Sequence, residues 1–145
     1  MKVLLDTNVL IAAVVEMHTA HTRAYARLAR VQNGSDQGFV AAHTLAEMYA
    51  VLTRYPMPLR HSPEQALLTI EENVIKHFKV LALTGTDYAA LLRETASAGI
   101  AGGAIYDAIL LKAAGKEGLE RIYTLNLKHF QALAPDSLKP ILLEP

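Results

Sequence analysis

Five short apolar runs constrain this chain more than any other feature. Val3-Leu4-Leu5, Gly38-Phe39-Val40-Ala41, Phe78–Leu83, Arg121-Ile122-Tyr123-Thr124 and Ile141-Leu142-Leu143 have strand composition. An apolar run without polar alternation marks a strand buried on both faces. Helical sequence lies between the runs: after Asp6-Thr7-Asn8, over 18–31, over 43–55, from Ser62 towards Lys76, from Thr86 to Ser97, over 104–116 and over 128–133. The punctuation agrees. Asn33-Gly34-Ser35-Asp36 and Pro56-Met57-Pro58 stop helices, and Ser62-Pro63-Glu64 and Thr86 start them. Strand and helix in alternation imply a parallel α/β sheet with helices on both faces. Ligands of such sheets bind beyond the carboxyl ends of the strands, where strand order reverses. Asp6 and Asn126 each follow a strand, so both are placed for a site. With no repeat and no linker in 145 residues, one domain over 1–145 is expected.

Composition removes several classes of function. There are no cysteines, which excludes disulfides, thiolate zinc sites and cysteine nucleophiles. Lys and Arg number 14 and so do Asp and Glu. A neutral chain does not coat nucleic acid by bulk charge, because that requires neutralising many phosphates. Mean hydropathy is +0.20, apolar for a chain this small, so a partner is expected to cover some of its surface. The apolar opening is interrupted by Asp6 and Asn8 and is not followed by a cleavage-type segment. No uncharged run suits a membrane span. A cytoplasmic protein is the expectation.

Charge isolation is the most informative chemical pattern. Asp6 is the only charged residue between Lys2 and Glu16, Glu47 the only one between Asp36 and Arg54, and Asp107 the only one between Glu94 and Lys112. Each lies in sequence that otherwise reads as buried. A desolvated carboxylate costs several kcal/mol unless a proton or cation neutralises it. Each acid also has a structural reading: Asp6 as a helix cap, Glu47 as a surface residue opposite the stripe Leu45, Met48, Tyr49 and Leu52, and Asp107 as half of a salt bridge. Three such acids on three elements of one parallel sheet point instead to a metal site. Oxygen donors without thiols favour Mg²⁺ or Mn²⁺. The six histidines (18, 21, 43, 61, 77 and 129) show no tight zinc spacing, and His18 and His21 read as surface residues. An oxygen-only Mg²⁺ site points to phosphoryl chemistry.

Leu4-Leu5-Asp6-Thr7-Asn8-Val9-Leu10, Glu47, Ile105-Tyr106-Asp107-Ala108 and Thr124-Leu125-Asn126-Leu127-Lys128-His129-Phe130 resemble the motifs of the PIN-domain family, in order and spacing. The nearest resemblance is to its small VapC-type ribonuclease toxins, and it covers essentially the whole chain. It implies an α/β/α sandwich with a central parallel sheet, and Mg²⁺- or Mn²⁺-dependent hydrolysis of RNA phosphodiesters. By matching position, Asp6, Glu47 and Asp107 would be the metal-binding acids. Thr7 and Thr124 would be hydroxyls beside them, and Asn8 would brace the loop. Many members carry a fourth acid where this chain has Asn126, which would then serve the site as an amide. The resemblance also implies a small antitoxin partner and a homodimer.

For RNA contact, Arg23, Arg27 and Arg30 recur at helical spacing, and Lys112, Lys116, Lys128 and His129 follow site motifs. The arginines read equally as an ordinary solvated face. The glycines at 99, 102 and 103 lack phosphate-loop spacing and read as packing relief before Asp107. Two other functions compete. A silent binding module on the same scaffold would have no reason to keep buried charges. A phosphatase with an aspartyl nucleophile needs Asp-x-Asp, and here the second acid is Asn8.

Overall fold

The computed structural model describes all residues, 1–145. In chain order they form β1 (Lys2–Leu5), α1 (Thr7–Val14), α2 (His21–Gln32), β2 (Gln37–Ala41), α3 (Ala42–Arg54) and α4 (Pro63–Ile70). Then come β3 (Phe78–Leu81), α5 (Gly85–Ser97), α6 (Ala104–Ala114), β4 (Arg121–Tyr123), α7 (Leu127–Leu133) and β5 (Leu142–Leu143). All four strand pairings are parallel, in the order β3-β2-β1-β4-β5. The chain builds outward from β1 through β2 to β3, then crosses to β4 and β5 on the other side. Strand order therefore reverses between β1 and β4, the crevice where such sheets bind ligands.

Alternate residues of the strands feed two cores, as the two-residue repeat of a strand requires. Val3, Leu5, Val40 and Tyr123 pack with α1 to α4. Leu4, Phe39, Ala41, Ile122 and Leu142 pack with α6 and α7. These are the three layers of an α/β/α sandwich. At Gly38 a Cβ would stand 2.4 Å from Val31 Cγ1, so only glycine lets α2 and β3 close on β2.

Several boundaries differ from those predicted. The helix from Ser62 is regular only to Ile70, then loosens into one π-helical turn over Glu71–Ile75. Ser62 does cap it: its hydroxyl accepts from Gln65 N–H, and the Gln65 side chain accepts from Ser62 N–H. Thr86 lies inside α5; the cap is Thr84, paired reciprocally with Asp87. Gly99 and Gly102 have φ of +68° and +65°, and a Cβ on either would meet nothing within 4 Å. They serve the left-handed backbone before α6 and do not relieve packing. No helix is long and apolar enough to cross a membrane.

Candidate active site

β1 ends at Asp6, which caps α1 in extended conformation (φ −69°, ψ 156°). Its Oδ1 accepts from the Thr7 backbone N–H at 2.7 Å, and its Oδ2 accepts from the Thr124 hydroxyl at 2.8 Å. Both oxygens are thus held by neutral donors, one from each side of the crevice. Asp6 is 5% exposed, and no cation reaches it. Burial pushes its pKa up to about 7; the hydrogen bonds from Thr124 and Thr7 oppose this, and the charges of Asp107 and Glu47 add to it.

Thr7 joins two of the acids. Its backbone N–H holds Asp6, and its buried hydroxyl donates to Glu47 Oε2 at 2.9 Å, with Thr44 Oγ1 at 3.4 Å. Glu47 reaches the crevice because α3 buries Thr44, Met48 and Leu52, with Val51 partly covered. Tyr49, assigned from sequence to the buried stripe, is exposed. Replacing Tyr49 by Thr44 and Val51 turns the buried face towards Glu47, which ends at its border and not opposite it. The Glu47 side chain is 46% exposed.

α6 supplies Asp107 from its first turn. It is partly exposed, and its Oδ2 lies 3.0 Å from His129 Nε2 on α7. Burial raises the Asp107 pKa, His129 opposes the rise, and Glu47 adds to it. Of the three acids expected to be buried, only Asp6 is. The other two stand at the rim, each coupled to Asp6 by charge. The three carboxylates face one another without closing into a preformed metal cage.

The loop after β4 forms the other wall. Thr124, fully buried, donates to Asp6 and accepts from the Asn126 backbone N–H at 3.0 Å. Asn8 Oδ1 accepts from Leu125 N–H at 3.1 Å, tying α1 to this loop. Asn126 opens α7 without a side-chain cap, and its amide is exposed.

The basic residues divide. Arg30 grips Asp36 through Nε–Oδ2 at 2.6 Å and a second contact at 3.2 Å. Asp36 precedes β2, so Arg30 stands at the amino-terminal edge of the sheet, away from the acids, and is not part of the site. Arg27 lies over the Tyr123 ring at 4.6 Å, and Arg23 pairs with Glu144 at 3.0 Å. The three arginines therefore form no free stripe; each is engaged in holding the fold. Lys112 bonds Glu94 at 3.0 Å and Lys116 bonds Asp87, both on α5. Lys128 is exposed beside His129.

Sequence reasoning missed His43. It is the residue four before Glu47 on α3, an i,i+4 spacing that was legible, and its Nε2 lies 3.8 Å from Glu47 Oε2. Burial lowers its pKa, and its Nδ1 is buried without a partner. Its ring faces that of Tyr106, with centroids 6.4 Å apart and planes at 28°. The largest cleft, between α5, α6 and the segment after α7, is lined by Leu91, Leu111 and Leu138 and holds none of the acids. Its wall also includes Glu94, Lys112 and Lys116.

Known proteins resemble this chain in sequence and in fold. A PIN-domain family model matches residues 3–134. Ribonuclease VapC27 of Mycobacterium tuberculosis is 36% identical over 115 residues, covering 79% of this chain and 78% of that protein. Ribonuclease VapC40 of the same organism is 34% identical over 119 residues, covering 80% and 83%. Among solved structures, M. tuberculosis VapC20, a Sarcin-Ricin loop cleaving toxin, superposes with a TM-score of 0.73 at 15% identity, covering 99% of both chains. VapBC2 of Rickettsia felis, bound to a fragment of its promoter DNA, gives 0.66 at 18%, covering 100% of this chain and 99% of that one. The chain belongs to the PIN-domain family, alongside the VapC ribonucleases.

Proposed function

We propose that this protein is a Mg²⁺- or Mn²⁺-dependent endoribonuclease, the toxin of a VapBC-type pair. The observation that carries this is Asp6. A buried carboxylate with no cationic partner, facing two further acids at the strand-order reversal, is unstable as an anion until a cation arrives. The donors are hard oxygens, which suit Mg²⁺ or Mn²⁺. Asp6, Glu47 and Asp107 would hold the ion, and Asn126 contributes at most an amide. When bound, such an ion supplies positive charge that activates water and offsets charge on the phosphate. The chain's own residues set the geometry. Thr124 and the Thr7 N–H fix both oxygens of Asp6, the Thr7 hydroxyl fixes Glu47, and His129 steadies Asp107.

Named relatives are ribonucleases, which supports RNA as the substrate. The retained acids favour a nuclease over a silent scaffold. A small antitoxin and a second copy are the proposed partners. Leu67 and Leu68 on α4 are more than half exposed, apolar surface that a partner would cover. The proposed compartment is the cytoplasm.

The test is incubation of total bacterial RNA with the purified protein, followed by mapping of new ends. Discrete cuts are expected with Mg²⁺ or Mn²⁺ and none with excess EDTA. Asp6→Asn, Glu47→Gln and Asp107→Asn should each abolish them. Cleavage that survives EDTA, once contaminating nucleases are excluded, overturns the mechanism.

A further inference from the structure

We propose that Tyr106 is a stacking platform for an unpaired nucleobase next to the scissile phosphate. This rests on the nuclease reading above and assigns a base contact to one named residue of the site.

Tyr106 is the most exposed aromatic residue of the chain, at 57%. An exposed tyrosine alone needs no explanation; the position of this one does. It immediately precedes Asp107 in the first turn of α6. Its ring leans on His43, which also lies beside Glu47. The ring it faces, that of His43, therefore lies within charge range of two of the three acids, Glu47 and Asp107. His43 is mostly buried, so it forms a firm back wall. The outer face of the tyrosine is left to solvent.

A phosphate seated among the acids carries a base on either side. An exposed aromatic plane beside such a phosphate can stack the face of one of those bases. Base faces are free only where RNA is unpaired; in an A-form helix they are covered by their neighbours. The acids cannot attract RNA without a cation, and most basic side chains are engaged elsewhere. Stacking supplies attraction that charge does not. Tyr25 provides an internal control: it is 50% exposed and stacked on His21 at 5.6 Å, but it lies on α2, away from the acids.

The experiment uses a short single-stranded RNA spanning a mapped cut, with 2-aminopurine flanking the scissile bond. Tyr106→Ala is expected to raise KM roughly tenfold with kcat little changed, and to abolish the fluorescence quenching seen on binding. Tyr106→Phe and Tyr106→Trp keep the ring and should keep both properties, and Tyr25→Ala should match wild type. If Tyr106→Ala loses its fold, Tyr106→Leu, bulky but not aromatic, replaces it and should behave as expected for Tyr106→Ala. Wild-type KM and quenching in the non-aromatic variant overturn the inference while leaving the nuclease intact. Failure of wild type to cut any RNA removes the nuclease reading, and this inference with it.

Discussion

Two buried aspartates occupy opposite edges of one sheet. Asp36, before β2, is 7% exposed; Asp6, after β1, is 5% exposed. Asp36 meets the Arg30 guanidinium through two contacts and the Met1 amine at 3.1 Å. Arg30 holds its pKa below the ordinary value, with help from the amine. Asp6 meets only hydroxyl and amide donors and two like charges, and its pKa climbs to about 7. Exposure is nearly equal, but Asp6 is set deeper among protein atoms, and that burial is the largest cause of its raised pKa. The second difference is whether the fold supplies a counter-charge. At the amino-terminal edge it does, and the carboxylate secures α2 and the chain start. At the carboxyl-terminal edge the charge is left uncompensated, and the fold is stable despite it.

The largest expected contrast is an exchange of phenotypes. Asp6→Asn should cut kcat/KM for RNA cleavage by more than about a hundredfold, beyond the loss typical of groups that only support a metal ligand. Asp36→Asn should leave cleavage intact and lower stability modestly, because Arg30 and the Met1 amine are nearly half exposed and water can replace the lost partner. Urea melts and steady-state kinetics on both variants read this directly. Equal effects on both properties in both variants would collapse the distinction.

Next comes pH. In EDTA, Asp6 takes up a proton on folding between its unfolded value near 4 and its folded value near 7. Its stabilising contribution is therefore complete below pH 4 and lost as pH rises through 7, on the order of 3 kcal/mol. Asp36 behaves oppositely: its contribution is present above pH 4 and lost as pH falls. Relative to wild type, Asp6→Asn should gain stability towards neutral pH, and Asp36→Asn should lose it. Parallel profiles across melts from pH 4 to 8 would show that Asp6 is compensated after all.

A smaller effect is stabilisation by the ion. Mn²⁺ at a hundred times its Kd should stabilise the wild type by about 2.7 kcal/mol, and should leave Asp6→Asn nearly unmoved. Differential scanning calorimetry with and without Mn²⁺ measures it. Smallest is Asn126→Asp. The exposed amide sits at the rim, so an added charge is screened by water; Mn²⁺ affinity should rise only about two- to fivefold. Calorimetric titration checks this, and unchanged affinity would mean that residue 126 faces away from the ion.

The contrast was only half visible in sequence. Asp6 was legible because a lone charge between an apolar run and an apolar helix stands out. The strands and both helix layers follow from the apolar runs and the helical sequence between them, and a site beyond the strand ends follows from Asp6 and Asn126 each closing a run. Asp36 was hidden in the turn Asn33-Gly34-Ser35-Asp36, and its partner Arg30 looked like part of a basic stripe. An arginine at helical spacing carries no mark of what its side chain reaches, because the partner is set by tertiary packing. Glu47 was harder for a related reason: assigning Tyr49 to the core turned the helix by one position. The histidines divide: His43 stands four residues before Glu47 on one helix and was legible, whereas His129 reaches Asp107 only because α7 packs beside α6.

The hydrogen bond from Thr124 to Asp6 spans 118 residues of sequence. Synthesis proceeds from the amino terminus, and early segments settle first. β1, α1 and α3 can pair with β2 while the chain is still growing, but Asp6 lacks its second anchor until β4 and its following threonine have emerged. A product released early, short of Thr124, holds the three acids but not the loop that aims the first of them. For an enzyme directed at RNA, made on a machine built of RNA, the consequence is that the site is completed only when the chain is nearly finished.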